Sequence, residues 1–270
     1  MAWATTDDIE KFTARAGEFL ASRPVEHSPL LTEADHLGRH PEAGTDQAYG
    51  WWVDDAGQVS GAFLRAPRHP TFLTPLPEAA VDALVAMLPL DAGVGCDVTT
   101  VDAMLSAAEQ AGVQLVPRHR VVIHRLATPP RPEPATGRSR LAVAGDRALL
   151  DQWFDELMAA HPGDASDRAY VVGDPLPEQR IVLWEVDRTP AGMAGWSRPV
   201  HAMTRVSAVY APSGDPRVEA AVLAAATAAA DHVASDVVVL AGKDDQTAVS
   251  RLAALGYRAV RERILLAPSP

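Results

Sequence analysis

Apolar positions along the chain recur at two periods, and the switching between them lays out a succession of short helices and strands. Residues 8–23 place Phe12, Ala16, Phe19 and Leu20 on one helical face, and Pro24 stops that run. A polar stretch without a period follows. Residues 48–66 then hold two strand-like runs, AYGWWVDD and QVSGAFLRA, joined as a hairpin at Asp55-Ala56-Gly57. Trp51 and Trp52 are adjacent in the first run, so a strand points them to opposite faces and at most one enters the core of that layer. The run 76–88 predicts a helix with Pro77 near its start. Residues 94–96 read as a short buried strand. Thr100 is placed to cap a helix over 101–111 that Gly112 ends, and the β-branched run 121–126 reads as a strand.

The stretch 128–136, TPPRPEPAT, carries four prolines and marks a linker. It divides the chain into 1–128, a Pro-rich linker at 129–136, and 137–270. Beyond it the pattern predicts a strand at 139–143 and a helix at 146–158 with Leu149, Leu150, Trp153, Phe154 and Leu157 on its apolar side. A strand at 169–172 follows, then a hairpin of 181–186 and 193–196 across a turn at 187–192, and a strand at 203–210. An Ala-rich helix spans 216–231, an interior strand 237–240, a helix 247–255 ended by Gly256, and a last strand 258–266. This order predicts an α/β fold with a central mixed sheet flanked by helices.

With 47% hydrophobic residues among 270, the chain can bury a sizeable core, and 22% charged residues exclude a disordered polymer. Lys and Arg number 24 against 35 acidic residues, a formal charge of −11. That balance repels phosphate backbones, so nucleic acid is disfavoured and an amine substrate is tolerated better. A single cysteine, Cys96, excludes a disulfide within the chain, and His119 and His124 form no metal-binding motif, so no metal is expected. The first residues, MAWATTDDIE, lack a basic flank and an apolar run, and no stretch approaches 18 apolar residues. The expectation is a cytoplasmic protein with no membrane partner, its oligomeric state open.

Three short patterns carry more. Asp245-x-x-Ala248 with Leu255-Gly256-Tyr257, Arg205-x-x-x-Val209-Tyr210-x-Pro212, and the hairpin Leu183-Trp184-Glu185 with Gly192-Met193-Ala194-Gly195 resemble, in this order, motifs of the acyl-CoA-dependent N-acetyltransferase (GNAT) superfamily. The resemblance covers 137–268. It implies a GNAT-like fold, preceded by a degenerate GNAT-like domain of similar element order over 1–128. It also implies acetyl-CoA or another acyl-CoA as cofactor. Tyr210 would lie beside the pantetheine arm, Ser213, Gly214, Arg217 and Ala221 would belong to the diphosphate loop, and Asp245 would replace the usual Asn.

Two departures stand out. The family's loop pattern is Arg or Gln, two residues, Gly, any residue, then Gly or Ala, because small residues let backbone N–H groups approach phosphate. Here it falls on Pro216, Glu219 and Ala221. The same residues also read as a plain helix start: Asp215 the cap, Pro216 the first position, Glu219 set favourably in the helix dipole. Leu252 stands where many relatives carry a proton-donating Tyr.

For catalysis, Glu185 and His201 are the candidate bases; their alternatives are a solvent-facing strand carboxylate and an exposed loop histidine. Trp184, Trp196 and Arg205 are candidate acceptor contacts, against core or cover roles for the tryptophans and a structural carboxylate anchor for the arginine. The implied function is transfer of an acyl group, from a CoA or carrier thioester, to a small-molecule amine. Two alternatives stay open: a catalytically silent member that binds a small molecule or a protein partner, and a repurposed enzyme using an aminoacyl-tRNA donor or other chemistry.

Overall fold

The computed structural model describes residues 1–40, 46–67, 69–130, 135–164 and 166–269. In chain order the elements are β1 (Ala2–Thr6), α1 (Ile9–Ala21), α2 (Ser28–Arg39), β2 (Ala48–Val53), β3 (Val59–Arg65), β4 (Thr71–Leu73), α3 (Glu78–Val85), β5 (Val94–Asp97), α4 (Val101–Gln110) and β6 (Leu115–Leu126). They continue with β7 (Arg138–Leu141), α5 (Arg147–Ala160), β8 (Ile181–Val186), β9 (Thr189–Trp196), β10 (Met203–Tyr210), α6 (Pro216–Asp231), β11 (Asp236–Gly242), α7 (Gln246–Leu255) and β12 (Tyr257–Pro268). Among the described residues, no helix is long and apolar enough to cross a membrane.

The chain forms two compact units. One comprises 1–123 with 241–245 and 259–270; the other comprises 124–240 with 246–258. The carboxyl-terminal strand therefore returns to the first unit, because β12 pairs antiparallel with β5, Ile264 opposite Cys96. Of the expected linker 129–136, residues 131–134 lie outside the described residues.

In the first unit β1, β2, β3 and β4 run antiparallel in turn, β4 and β5 run parallel, and β5 meets β12. Helix α1 starts at Asp8, whose carboxylate accepts from the Glu10 and Lys11 N–H groups, and it buries Phe12, Ala16 and Leu20. Phe12 packs on Tyr49 of β2, while on the other face of that strand Trp52 meets Trp3 edge-on. Both sheet faces are covered there, so Trp51 and Trp52 are both buried, contrary to the expectation of one. Gly50 is required by this packing: a Cβ there would lie 2.2 Å from the Phe63 ring.

The parallel pair β4–β5 holds register only at Thr71↔Val94 and Phe72↔Gly95. Beyond it the buried Arg263 guanidinium, from β12, bridges the strands through Leu73 O (2.9 Å) and Gly95 O (2.8 Å).

In the second unit the strand order is β11-β10-β9-β8-β7, antiparallel except for the parallel β10–β11 pair. Helix α5 and a short π-helical turn, Ala169–Gly173, cover one face, packing Leu150, Trp153, Phe154 and Val172 with Leu183 of β8. Helix α6 packs on the other face, and Gly192 of β9 makes room for it, since a Cβ there would lie 2.9 Å from Val218.

Three differences from the sequence expectations have physical causes. Residues 169–172 form the π-turn instead of a strand; Asp174 N–H bonds back five residues to Ala169 O. A short apolar run does not distinguish the two by period. The polar stretch after Pro24 contains α2, whose buried positions include Ser28, Thr32 and His36 beside leucines and so blur the apolar stripe. Thr100 does not cap α4 with its side chain. Its hydroxyl accepts from Leu76 N–H, and Asp97 caps the preceding 3-10 turn.

Candidate functional site

The second unit opens where its parallel strands part. β10 pairs with β11 only over Met203–Arg205 against Asp236–Val238. Past that point Ser207, Ala208, Val209 and Tyr210 are half-exposed although β10 is an interior strand, and so are Val239 and Leu240 of β11. On its other edge β10 shifts register against β9 between Ser207 and Tyr210, with Ala208 at φ 53°. Such a bulge bends a strand and re-aims its groups. The opening lies at the carboxyl ends of two parallel strands joined by a helix, the usual place for a ligand in an α/β sheet.

The loop from β10 to α6 closes on itself. Gly214, at φ 64°, donates its N–H to Ala211 O (2.9 Å), and the Asp215 N–H bonds Ser213 Oγ (3.2 Å). The Asp215 carboxylate caps α6 by accepting from Arg217 N–H (2.8 Å), and Pro216 has no N–H to offer. Glu219 in the first turn forms an ion pair with Arg251 of α7, N to O 3.0 Å. The Arg217 side chain is exposed, and Ala221 is buried under the helix.

A diphosphate requires several free N–H donors and no carboxylate at the helix end. Here the Gly214, Asp215, Arg217 and Glu219 N–H groups already have acceptors, and the Asp215 and Glu219 carboxylates stand at the helix end. This loop does not fit the diphosphate of coenzyme A.

The remaining candidates scatter. Tyr210 donates its hydroxyl to Glu156 of α5 (2.8 Å); burial, helped by that carboxylate, pushes its pKa up to about 12. Leu252 is buried core and offers no proton. Asp245 is exposed, in the 241–245 segment that groups with the first unit.

Glu185 is buried rather than solvent-facing, and it is held by Arg140 (2.6 Å) and Arg138 (3.1 Å). The Arg140 guanidinium, then Arg138, keeps its carboxyl below the usual range, so it is a poor base. His201 is exposed in a two-residue turn with Ala202, both at positive φ, between Val200 and Met203. That turn sits at the amino end of β10, the loop position expected for it, and away from the parting. Trp196 is buried and pairs with Val206 in the ladder, level with the point where β10 and β11 part. Trp184 is half-buried and donates its indole N–H to Thr136 O (3.1 Å), covering the backbone at Gly137.

Arg205 is the candidate that the fold brings to the cleft. It is the last β10 residue of the β10–β11 ladder, and its guanidinium reaches Tyr170 of the π-turn. Sequence reasoning missed Tyr170, by placing 169–172 in a strand, and also Glu156 and Arg251. Arg251 lies directly before Leu252, and a cation there was the available signal for a partner to Glu219.

No protein-family model matches this chain, and no curated protein matches it by sequence. Its fold, however, is similar to solved structures described as GNAT acetyltransferases. One from Colwellia psychrerythraea is 10% identical with a TM-score of 0.59, each chain covered over 100%. One from Sphaerobacter thermophilus is 13% identical with a TM-score of 0.57, covering 98% of this chain and 95% of the other. One from Kribbella flavida is 17% identical with a TM-score of 0.54, covering 78% and 86%. At these identities the likeness establishes the fold: the chain has the GNAT-like α/β architecture, a central mixed sheet flanked by helices. Activity rests on the site, not on the fold.

Proposed function

We propose that this chain is a GNAT-fold protein that binds a small molecule in the opening between β10 and β11, and that it does not use ordinary acetyl-CoA. One observation carries the reading: the strands part as in a ligand-binding α/β sheet, while the loop at the diphosphate position is satisfied by Asp215, Ser213 and Ala211 and flanked by the Glu219–Arg251 pair. The weak placement of Glu185 and His201 as bases, and the buried Leu252, favour binding over catalysis in the same way.

A second reading keeps acyl transfer from a thioester to an amine, with the acyl donor held along the strand edges. The bulge at Ala208 favours it, because a turned strand edge can present backbone groups to a thioester carbonyl. That reading calls for a donor without a bound diphosphate, such as an acyl group on a carrier.

Hydrogen exchange on the full chain, with and without acetyl-CoA, tests the choice. The proposal expects no added protection over 207–221 and no thiol release with a panel of amines. Protection of that segment together with thiol release would overturn it and establish a CoA-dependent transferase.

A further inference from the structure

Among the described residues, the arginines of the second unit that are at least half-buried meet acids with one exception; Arg188, Arg217 and Arg258, which form no ion pair, are exposed. Arg140, Arg168, Arg180 and Arg251 each meet a carboxylate. Arg205 meets none among the described residues. Its Nη2 donates to the Tyr170 hydroxyl (2.7 Å), and the guanidinium lies over the Tyr170 ring at 5.4 Å. Its Nε is shielded from solvent and has no acceptor. A cation withdrawn from water without a counter-ion is costly, and folds remove such costs by pairing. This chain carries 35 acidic residues, so acids to pair with it are not scarce.

The position of Arg205 adds direction. It sits at the root of the parting, with the half-exposed Ser207 and Ala208 following it along β10. Tyr170 is held by a π-helical turn, an irregularity that recurs at functional sites. A guanidinium presents a planar fork of donors that matches an oxyanion.

The ligand's remaining charge is also constrained. At the mouth of the same opening, Asp215 and Glu219 set carboxylates at the start of α6, and the chain as a whole carries −11. A polyanion is repelled there, whereas a single carboxylate on an otherwise neutral or cationic body is not.

We infer that Arg205 and Tyr170 form the seat for a carboxylate of the small molecule that enters this opening, a molecule of the α-amino-acid class carrying one anionic group. This rests on the reading of the β10–β11 opening as a ligand site.

The test uses the full chain and calorimetric titration with free glycine, glutamine and lysine, their carboxamides, and inorganic phosphate. The expected result is that at least one amino acid binds and its carboxamide binds about 10-fold more weakly or not at all. Arg205→Met should weaken that binding by about 10-fold or more, with Tm unchanged or raised, because a half-buried cation without a carboxylate partner is removed. Arg205→Lys, which keeps the charge but not the planar fork, should weaken it by a smaller factor, and it serves if the Met variant fails to fold.

Equal binding by wild type and Arg205→Met would overturn the inference. So would binding of phosphate in place of the amino acids, or no binding by any of them. Val239→Trp, which fills the opening, separates the two claims. If it abolishes binding that Arg205→Met leaves intact, the cleft reading stands without its arginine. If neither variant changes binding, the cleft reading falls as well.

Discussion

In the first unit β4 and β5 part after two register pairs, and every residue at the gap is buried: Leu73, Thr74, Cys96 and Asp97. Arg263 reaches between them and satisfies a carbonyl on each side. In the second unit β10 and β11 part after three pairs, and the residues beyond are half-exposed. The guanidinium nearby, that of Arg205, donates to the Tyr170 hydroxyl and meets no carboxylate among the described residues. The same local topology is thus structural in one unit and open in the other. The difference lies in where the guanidinium donors go. Spent on backbone carbonyls, they seal a gap; left partly unsatisfied, as at Arg205 Nε, they mark a place for a ligand.

The comparison can be broken most sharply at Arg263. Arg263→Ala removes a buried side chain and leaves two carbonyls without a donor, so a loss of about 3 kcal/mol or more is expected, read by urea unfolding. A loss under 1 kcal/mol would mean that the first gap does not depend on its arginine.

Next is Gly192→Ala, which drives a methyl into Val218 and Tyr210 O and pushes α6 away from β9. A cost of about 1–3 kcal/mol is expected in thermal unfolding. Asp215→Ala removes the cap of α6 and should cost about 1 kcal/mol.

The smallest effect is pH-dependent. Arg140 holds Glu185 and Asp146 below their ordinary values of 4.5 and 3.8. Depressed folded-state values mean that the contribution is complete above those pH values and is lost as pH falls below them. Arg140 is itself about a third exposed, which tempers the gain. Arg140→Ala should therefore flatten the acid limb of the stability curve below about pH 5 and leave the alkaline side unchanged.

Local signals in the sequence were the readable ones. The span of α6 and its cap at Asp215-Pro216 follow from residues adjacent in the chain, as does β10 from its β-branched run. The tail motif and the hairpin pointed to the GNAT-like architecture that the fold comparisons support. What depended on distant partners was hidden. Glu185 looked like a surface carboxylate because Arg138 and Arg140 lie on another strand. Glu219 looked like a simple obstacle because Arg251 sits on α7. Tyr170 was obscured by a π-turn that has no period of its own, and β4 by its length of three residues.

The central claim, that the second unit keeps an open cleft behind a closed diphosphate loop, is tested most directly by calorimetric titration of the full chain with coenzyme A and acetyl-CoA, repeated on Glu219→Gly. No measurable binding by the wild type is expected, and weak binding is gained by the variant, since removing Glu219 clears a carboxylate and frees Arg251 for phosphate. Binding by the wild type at micromolar concentration, unchanged in the variant, would contradict it.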